Sequence, residues 1–331
     1  MNLAKEPIFI AGAGRMGRGI AVAFAYQGHE VRLIDIKKRN QEEFEELTSA
    51  VKAEINSHLK FLAVSDVVPK EMVLPITERI KVYRMEDQSN IWNQANIIFE
   101  AVPEVAEIKK EVFSRICAGV SKDALIASTT SSFLVNELAE FVTHKGRFIN
   151  THWLNPAYLM PLVEVSPGSE TREDKTNQMI QLLESIGKVP VKCAPSPGFI
   201  VPRIQALAMN EAARLMEEGV ASVEDIDKAS RIGFGLRFAV LGLLEFIDWG
   251  GADTLFHASH YLKQSLNSDR FSPPPIVEEM MESGNIGLKT KSGFYDFDST
   301  KIDEYQLETL KKFIDLLQHL GLLSTPKEHV L

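Results

Sequence analysis

Cysteine is scarce in this sequence, and long apolar runs and an excess of positive charge are absent. Only 2 cysteines, Cys117 and Cys193, occur among 331 residues, too few for a disulfide framework, which fits a reducing compartment. No apolar run reaches the roughly 18 residues of a membrane span, so we expect no membrane partner. The net charge of −9 argues against nucleic acid as a partner.

The first apolar segment begins close to the N-terminus, at Pro7, which leaves no room for a signal peptide. We therefore expect a cytoplasmic protein. The pattern predicts no metal site, and the composition is that of an ordinary globular enzyme acting on a small molecule.

Short apolar runs alternate with amphipathic segments over the first two thirds of the chain. The runs predict strands of a parallel sheet that is covered on both faces, hence an α/β fold with a doubly wound sheet. The predicted strands are Pro7–Gly12, Glu30–Asp35, Ile80–Tyr83, Asn96–Val102, Ala124–Ser128 and Phe148–His152, with Leu162–Val165 and Val189–Cys193 as possible extensions. The predicted helices are Met16–Gln27, Lys37–Leu62, Val105–Gly119, Leu134–Phe141 and Asp174–Ile186.

A proline- and glycine-rich segment, Ala194–Gly198, divides the sequence into two predicted domains. We expect residues 1–194 to form the α/β domain and residues 195–331 to form an all-α C-terminal domain for substrate binding and dimerisation. The helix predicted at Phe199–Met216 is apolar nearly all round, which indicates burial in its own domain or in a subunit interface. An apolar stripe near the C-terminus leaves the same two alternatives; it consists of Leu307, Leu310, Ile314 and Leu317.

A glycine-rich turn with the pattern G-x-G-x-x-G joins the first predicted strand to the first helix. Gly12 permits the tight turn, Gly14 lets the backbone approach a pyrophosphate, and Gly17 lets the helix pack close to the strand. The free N–H groups at the start of the helix favour phosphate, so we expect Arg15 and Met16 to contact the same ligand. The context of strand and helix predicts a Rossmann-type dinucleotide-binding domain.

Asp35 ends the second predicted strand. A carboxylate at this point accepts hydrogen bonds from a ribose diol and repels a 2′-phosphate, which favours NAD over NADP. The basic run of Lys37, Lys38 and Arg39 follows directly, and such a run could attract a 2′-phosphate. We interpret it instead as the solvated start of a helix.

Three polar side chains lie where predicted strands end or pair. Ser131 follows the strand Ala124–Ser128, His152 ends the next one, and Glu164 lies inside an apolar run. A carboxylate in such a run is costly to bury unless it is paired, and a histidine is its natural partner. Taken singly, Ser131 could cap a helix, His152 could be a hydrogen-bonded core residue, and Glu164 could face water on an edge strand.

The sequence resembles the 3-hydroxyacyl-CoA dehydrogenase family from about residue 7 to residue 297. The motifs that carry the resemblance are Ser128-Thr129-Thr130-Ser131-Ser132, His152-Trp153-Leu154-Asn155-Pro156, Leu162-Val163-Glu164-Val165, Pro197-Gly198-Phe199-Ile200-Val201 and Gly293-Phe294-Tyr295, together with Glu104 and Lys109. The resemblance implies NAD as the cofactor, with Glu104, Lys109 and Asn155 on the cofactor side, and a homodimer built through the helical domain.

The resemblance also implies a mechanism. His152 accepts the proton of a 3-hydroxy group while hydride leaves the carbon, Glu164 orients and stabilises the imidazole, and Ser131 holds the reacting oxygen.

Two departures from the family pattern concern the substrate. Pro202 stands where members that act on acyl-CoA usually carry an asparagine, and proline offers neither an amide side chain nor an N–H group. The helical segment after the second strand is poorer in lysine than usual. Arg237 lies in a segment closer to the branch acting on free acids, and it could bind a substrate carboxylate or pair with Glu245.

Three functions remain open on the sequence. The first is oxidation of a short-chain 3-hydroxyacyl-CoA, as in fatty acid metabolism. The second keeps the chemistry but acts on a free 3-hydroxy acid or sugar acid, as gulonate and carnitine dehydrogenases do. The third is a non-catalytic NAD-binding protein similar to lambda-crystallin, against which the retention of Ser131, His152 and Glu164 argues.

Overall fold

The computed structural model of the chain describes residues 6–86 and 91–324. Eight strands form one sheet in the order β3-β2-β1-β4-β5-β6-β7-β8. All eight apolar runs interpreted as strands are confirmed. The strands are β1 (Ile8–Ala11), β2 (Val31–Asp35), β3 (Ile80–Arg84), β4 (Ile97–Glu100), β5 (Leu125–Ser128), β6 (Phe148–Trp153), β7 (Leu162–Pro167) and β8 (Val189–Lys192).

Helices connect the parallel strands and cover both faces of the sheet. They are α1 (Arg15–Tyr26), α2 (Gln41–Val64), α3 (Val73–Glu78), α4 (Ala106–Gly119), α5 (Val135–Ala139) and α6 (Glu173–Ser185). Successive residues of β1 point to opposite faces: Ile8 and Ile10 belong to one buried apolar cluster, and Phe9 and Ala11 belong to another. This double burial explains why β1 is continuously apolar.

The sheet reverses direction at one point that the sequence did not reveal. β6 and β7 pair antiparallel, whereas every other neighbouring pair of strands is parallel. In this antiparallel register His152 lies directly opposite Glu164. Directly opposed residues carry their side chains on the same face, so the reversal brings the two groups together.

The described chain forms two compact units, one that ends at Ala208 and one that begins at Met209. The second unit is helical, which confirms the predicted all-α C-terminal region. Helix α7 (Val201–Glu217) begins in the first unit and ends in the second. The later helices of the second unit are α8 (Val223–Ala229), α9 (Leu236–Val240), α10 (Leu243–Gly250), α11 (Ala252–Ser265), α12 (Pro275–Ser283) and α13 (Ile302–His319).

Two apolar helices, α7 and α13, are largely uncovered by the residues that the structure describes. No residue of α7 is buried, and Leu207 and Met209 are 69% and 68% exposed. On α13, Leu307 and Leu310 of the apolar stripe are also exposed. Burial of these apolar groups on their own domain is therefore excluded, and a subunit interface stays the alternative. None of the described helices combines the length and apolar character needed to cross a membrane.

Candidate active site

The glycine-rich turn between β1 and α1 has the geometry that a pyrophosphate requires. Gly12 has a φ of +119°, and a Cβ atom there would collide with the carbonyl oxygen of Ala101. A Cβ atom on Gly17 would collide with the carbonyl oxygen of Gly12, so α1 packs against the turn only with glycine at this position. Nothing lies within 4 Å of the Cβ position of Gly14, which leaves its backbone open to a ligand.

A cavity of about 400 Å³ opens beside this turn, next to the end of β2. Arg15, Met16 and Asp35, three of the predicted cofactor-binding residues, line it. The full lining is Gly12, Ala13, Gly14, Arg15, Met16, Arg18, Asp35, Ile36, Lys37, Arg39, Leu47, Ala101, Val102 and Pro103. Its place at the carboxyl ends of β1, β2 and β4 is where a doubly wound sheet binds the adenosine half of NAD, so the residues present fit this cofactor.

Asp35 is buried, and both of its carboxylate oxygens are occupied by neighbours in the loop that follows β2. Oδ2 accepts a hydrogen bond from Nε of Arg39 at 2.7 Å, and Oδ1 accepts one from the backbone N–H of Lys37 at 3.3 Å. Helix α2 begins only at Gln41, capped by the side chain of Asn40. The expectation of a solvated helix start is therefore wrong for Arg39, which is ion-paired in the loop.

His152 and Glu164 form the closest contact between predicted catalytic residues. Nδ1 of His152 and Oε2 of Glu164 lie 2.6 Å apart, and both side chains are buried. The pairing follows from the register of β6 and β7 and excludes a solvent-facing Glu164. In this geometry an ionised carboxylate fixes the imidazole ring and accepts a hydrogen bond from Nδ1–H.

The second oxygen of Glu164 binds the start of α7. Oε1 accepts hydrogen bonds from the backbone N–H groups of Ile200 at 2.7 Å and Val201 at 2.9 Å. These N–H groups belong to the helix start, where no intrahelical acceptor exists and a negative charge is favoured. Three donors thus hold the carboxylate, which offsets the cost of burying its charge.

Phe199 completes the surroundings of the imidazole. Its ring lies parallel to that of His152, with centroids 4.9 Å apart and an interplanar angle of 16°. The Phe199 backbone is left-handed, with a φ of +47°, a costly conformation for an aromatic residue. That conformation presents the ring to His152 and the next two N–H groups to Glu164.

Two other predicted residues, Glu104 and Lys109, belong to a charge network at the end of β4, in which Lys109 is buried and Glu104 is exposed. The ammonium group of Lys109 bonds both carboxylate oxygens of Glu100, at 2.9 and 3.0 Å, and lies 3.2 Å from Glu104. Glu100 is fully buried and also accepts hydrogen bonds from the Ser128 hydroxyl and the Val102 N–H. Lys109 therefore bridges two carboxylates.

Ser131 lies beside this network, in the loop after β5. Its backbone N–H donates to Oε1 of Glu104 at 2.5 Å, and the Thr130 hydroxyl donates to the same carboxylate. Burial alone would raise the pKa of Glu104, but the Ser131 N–H and the charge of Lys109 outweigh it, and the pKa is lowered. The Ser131 side chain itself is exposed, and its hydroxyl bonds to no described residue.

Asn155 lies in the loop between β6 and β7. It lines a different cavity from the glycine-rich turn, one of about 300 Å³ that Arg15, His58 and Tyr158 also line. Lys188 anchors this loop, because its buried ammonium group donates to the carbonyl oxygens of Ala157 at 2.7 Å and Met160 at 2.8 Å. Burial lowers the pKa of Lys188 to about 8.

The residues relevant to the substrate divide between the two units. Pro202 occupies the first turn of α7, where the missing N–H group costs nothing. Arg237, in the second unit, forms no ion pair with any described residue, and its guanidinium lies 5.7 Å from the ring centroid of Phe246. Glu245 instead accepts hydrogen bonds from Tyr305 and Gly242, so the predicted alternative of an Arg237–Glu245 pair is not observed.

Sequence reasoning missed four residues that shape these sites: Arg39, Glu100, Phe199 and Lys188. Glu100 carried a signal, since a glutamate ends an otherwise apolar strand and needs a partner. Phe199 follows a glycine in a recognised motif, yet its left-handed backbone left no mark on the sequence. Arg39 was recognised only as part of a charge run.

Comparisons with known proteins agree with this architecture. The 3-hydroxyacyl-CoA dehydrogenase NAD-binding domain matches residues 7–196, and the C-terminal domain of the same family matches residues 198–297. A 3-hydroxybutyryl-CoA dehydrogenase of Bradyrhizobium diazoefficiens is 32% identical over 297 residues, which cover 89% of this chain and 97% of the relative.

Two solved structures are also similar. A 3-hydroxyacyl-CoA dehydrogenase of Archaeoglobus fulgidus superposes with a TM-score of 0.76 at 30% identity, covering 96% of this chain and all of the other. An NAD-dependent dismutase described as 5-formyl-3-hydroxy-2-methylpyridine-4-carboxylic acid 5-dehydrogenase has a TM-score of 0.66 at 26% identity, covering 96% and 98%. With both family domains matched along the chain, this protein belongs to the 3-hydroxyacyl-CoA dehydrogenase family and is an NAD-dependent oxidoreductase.

Proposed function

We propose that the chain oxidises the 3-hydroxy group of a short-chain 3-hydroxyacyl-CoA to a 3-keto group, and catalyses the reverse, with His152 and Glu164 as its acid–base pair. The observation that carries the proposal is that both carboxylate oxygens of Glu164 are hydrogen-bonded. One oxygen faces Nδ1 of His152, and the other accepts from two backbone N–H groups. An ionised carboxylate only accepts hydrogen bonds, so Nδ1 carries the proton. Nε2 is then left with a lone pair that can receive the hydroxyl proton.

Each residue of the site has a separate task. NAD, when bound, would supply the acceptor for the hydride of the carbon that carries the hydroxyl group. His152 takes the hydroxyl proton at Nε2, and the charge of Glu164 stabilises the imidazolium. The Ser131 hydroxyl, which no described residue engages, donates to the reacting oxygen and orients it. Glu104, Lys109 and Asn155 act on the cofactor side.

A second candidate keeps this chemistry on a free hydroxy acid. Three observations favour it. Pro202 removes the family asparagine, and Arg237 has no acidic partner among the described residues. In addition, α2 carries Lys52 and Lys60 as its only basic residues, against Glu42, Glu43, Glu45, Glu46 and Glu54, and so offers little attraction to the phosphates of CoA.

Parallel assays of NADH oxidation separate the candidates. The substrates are acetoacetyl-CoA, acetoacetate and a 3-keto sugar acid, and the acyl-CoA proposal requires the highest kcat/KM with acetoacetyl-CoA. A higher kcat/KM with either free acid would support the second candidate instead. No turnover with any of them would refute both candidates.

We further propose a homodimer, built on the apolar surface of α7 and α13. Leu207, Met209 and Leu307 each expose more than half of their surface, and an apolar area of this kind is poorly tolerated by a monomer. A cytoplasmic location and a place in fatty acid metabolism remain predictions from the sequence.

A further inference from the structure

The cavity beside the glycine-rich turn is cationic, although the chain as a whole is acidic. Asp35 is the single acidic residue of its described lining, against Arg15, Lys37 and Arg39 and against Arg18, which is itself ion-paired with Glu54. The chain carries a net charge of −9, so this concentration of positive charge is local. A ligand with several negative charges suits such a cavity better than a neutral one.

Asp35 and Arg39 form one unit at the ribose end of the cavity. The guanidinium group is bound to the carboxylate through Nε, at 2.7 Å. Its two terminal nitrogens form no hydrogen bond with any residue that the structure describes, and the side chain is 25% exposed. The group therefore cancels the charge of Asp35 and still has donors to offer.

An aspartate at the end of the second strand selects NAD because it repels a 2′-phosphate, and an arginine nearby accommodates that phosphate. Here the repelling carboxylate and such an arginine are bound to each other. We propose that Arg39 sets the cofactor selectivity of this protein. It neutralises Asp35 and presents its free nitrogens to the ribose that Asp35 binds, so that the enzyme uses NAD but also accepts the 2′-phosphorylated cofactor.

The pairing leaves NAD binding intact. Each carboxylate oxygen has a second lone pair, so Asp35 can accept from a ribose hydroxyl while it remains bound to Arg39. A charge-assisted hydrogen bond from arginine to a phosphate is worth a factor of about 10 to 100 in affinity. We therefore expect the dissociation constants of NADH and NADPH for the wild-type protein to differ by no more than about tenfold.

Fluorescence titration of the complete chain with NADH and NADPH tests the proposal without relying on turnover. For Arg39→Leu we expect NADPH affinity to fall by about 10- to 100-fold and NADH affinity by less than about threefold. For Asp35→Ala we expect the opposite result, with a lower affinity for NADH and an unchanged affinity for NADPH. Arg39→Lys, which keeps the charge but loses the planar group, falls between wild type and Arg39→Leu in NADPH affinity.

Lys38→Leu is the matched control. Lys38 is the neighbouring cation, its side chain is 82% exposed and paired with Glu86 at 3.9 Å, and it does not line the cavity. The change removes the same charge, so a general electrostatic effect would weaken NADPH binding in both variants. If Arg39→Leu lowered the affinities for NADH and NADPH equally, Arg39 would only hold Asp35 in place, and the proposal would be overturned. Unchanged NADPH affinity, or a wild type that fails to bind NADPH, would also overturn it.

Discussion

Replacing Glu164 with glutamine should reverse the hydrogen-bond polarity of the imidazole. A glutamine has one acceptor oxygen, whereas Glu164 serves His152 on one side and the N–H groups of Ile200 and Val201 on the other. If its NH₂ group faced the two backbone N–H groups, these partly buried donors would lose their acceptor, at a cost of up to about 1–3 kcal/mol each. The oxygen therefore turns to the backbone, and the NH₂ group faces Nδ1.

In that arrangement Nδ1 must accept, so the proton of a neutral imidazole moves to Nε2. The nitrogen that should take the substrate proton is then protonated, and no carboxylate stabilises the imidazolium. We expect kcat to fall by ~10²–10⁴-fold, the effect of losing positioned acid–base catalysis. NADH affinity should change little, because Gly12–Gly17 and Asp35 lie in a separate cavity.

Steady-state kinetics with NADH and acetoacetyl-CoA, combined with NADH titration, measures both quantities. Glu170→Gln makes the same chemical change at an exposed residue and should be neutral, since exposed ion pairs contribute little. The double variant with His152→Ala should be no slower than His152→Ala alone, because the two residues act as one group. A Glu164→Gln enzyme with normal kcat and an unchanged pH profile would refute the reasoning and leave the glutamate a structural role.

The remaining predictions concern stacking, protonation and assembly. Phe199→Ala should lower kcat by up to about tenfold, the worth of a lost ring contact, and an equal loss of NADH affinity would contradict this. The pKa of Lys188, about 8, lies below that of an unfolded lysine, so the folded state releases this proton first and stability should rise from pH 8 to about 10. Urea midpoints should show this rise for the wild type and not for Lys188→Met. Light scattering at micromolar concentration should give twice the chain mass of 37.0 kDa, and a strictly monomeric mass would exclude the proposed dimer.

The strands and the nucleotide turn were predictable because their causes are local. A strand buried on both faces must be apolar throughout, and the G-x-G-x-x-G turn admits no side chain at Gly12 or Gly17. The direction of β7 was not predictable, since an apolar run reads the same in a parallel and an antiparallel strand. The sequence therefore suggested the His152–Glu164 pair on chemical grounds, while the register that creates it came only with the structure.

The cofactor end shows the limit of residue-by-residue interpretation. Asp35 was recognised by its position at the end of a strand, but its charge depends on a side chain four residues later in an irregular loop. Asp35 and Arg39 do not lie on a common helix, so no periodic pattern in the sequence relates them. From the sequence, Arg39 could therefore be assigned only to a run of charged residues. Similarly, the α7 pattern revealed an apolar helix without indicating that no residue of it would be buried among residues 6–86 and 91–324.

The hydrogen bonds from Ile200 and Val201 to Glu164 make two backbone amides into reporters of the active site. An amide proton exchanges with solvent deuterium only when its hydrogen bond opens, and here the acceptor is the carboxylate of Glu164, the proposed partner of His152. Exchange at these two positions therefore measures how often the carboxylate releases the helix in the resting enzyme. A variant that loosens the start of α7 would change this rate before any substrate is added, so the readiness of the catalytic pair can be followed in a protein that is not turning over.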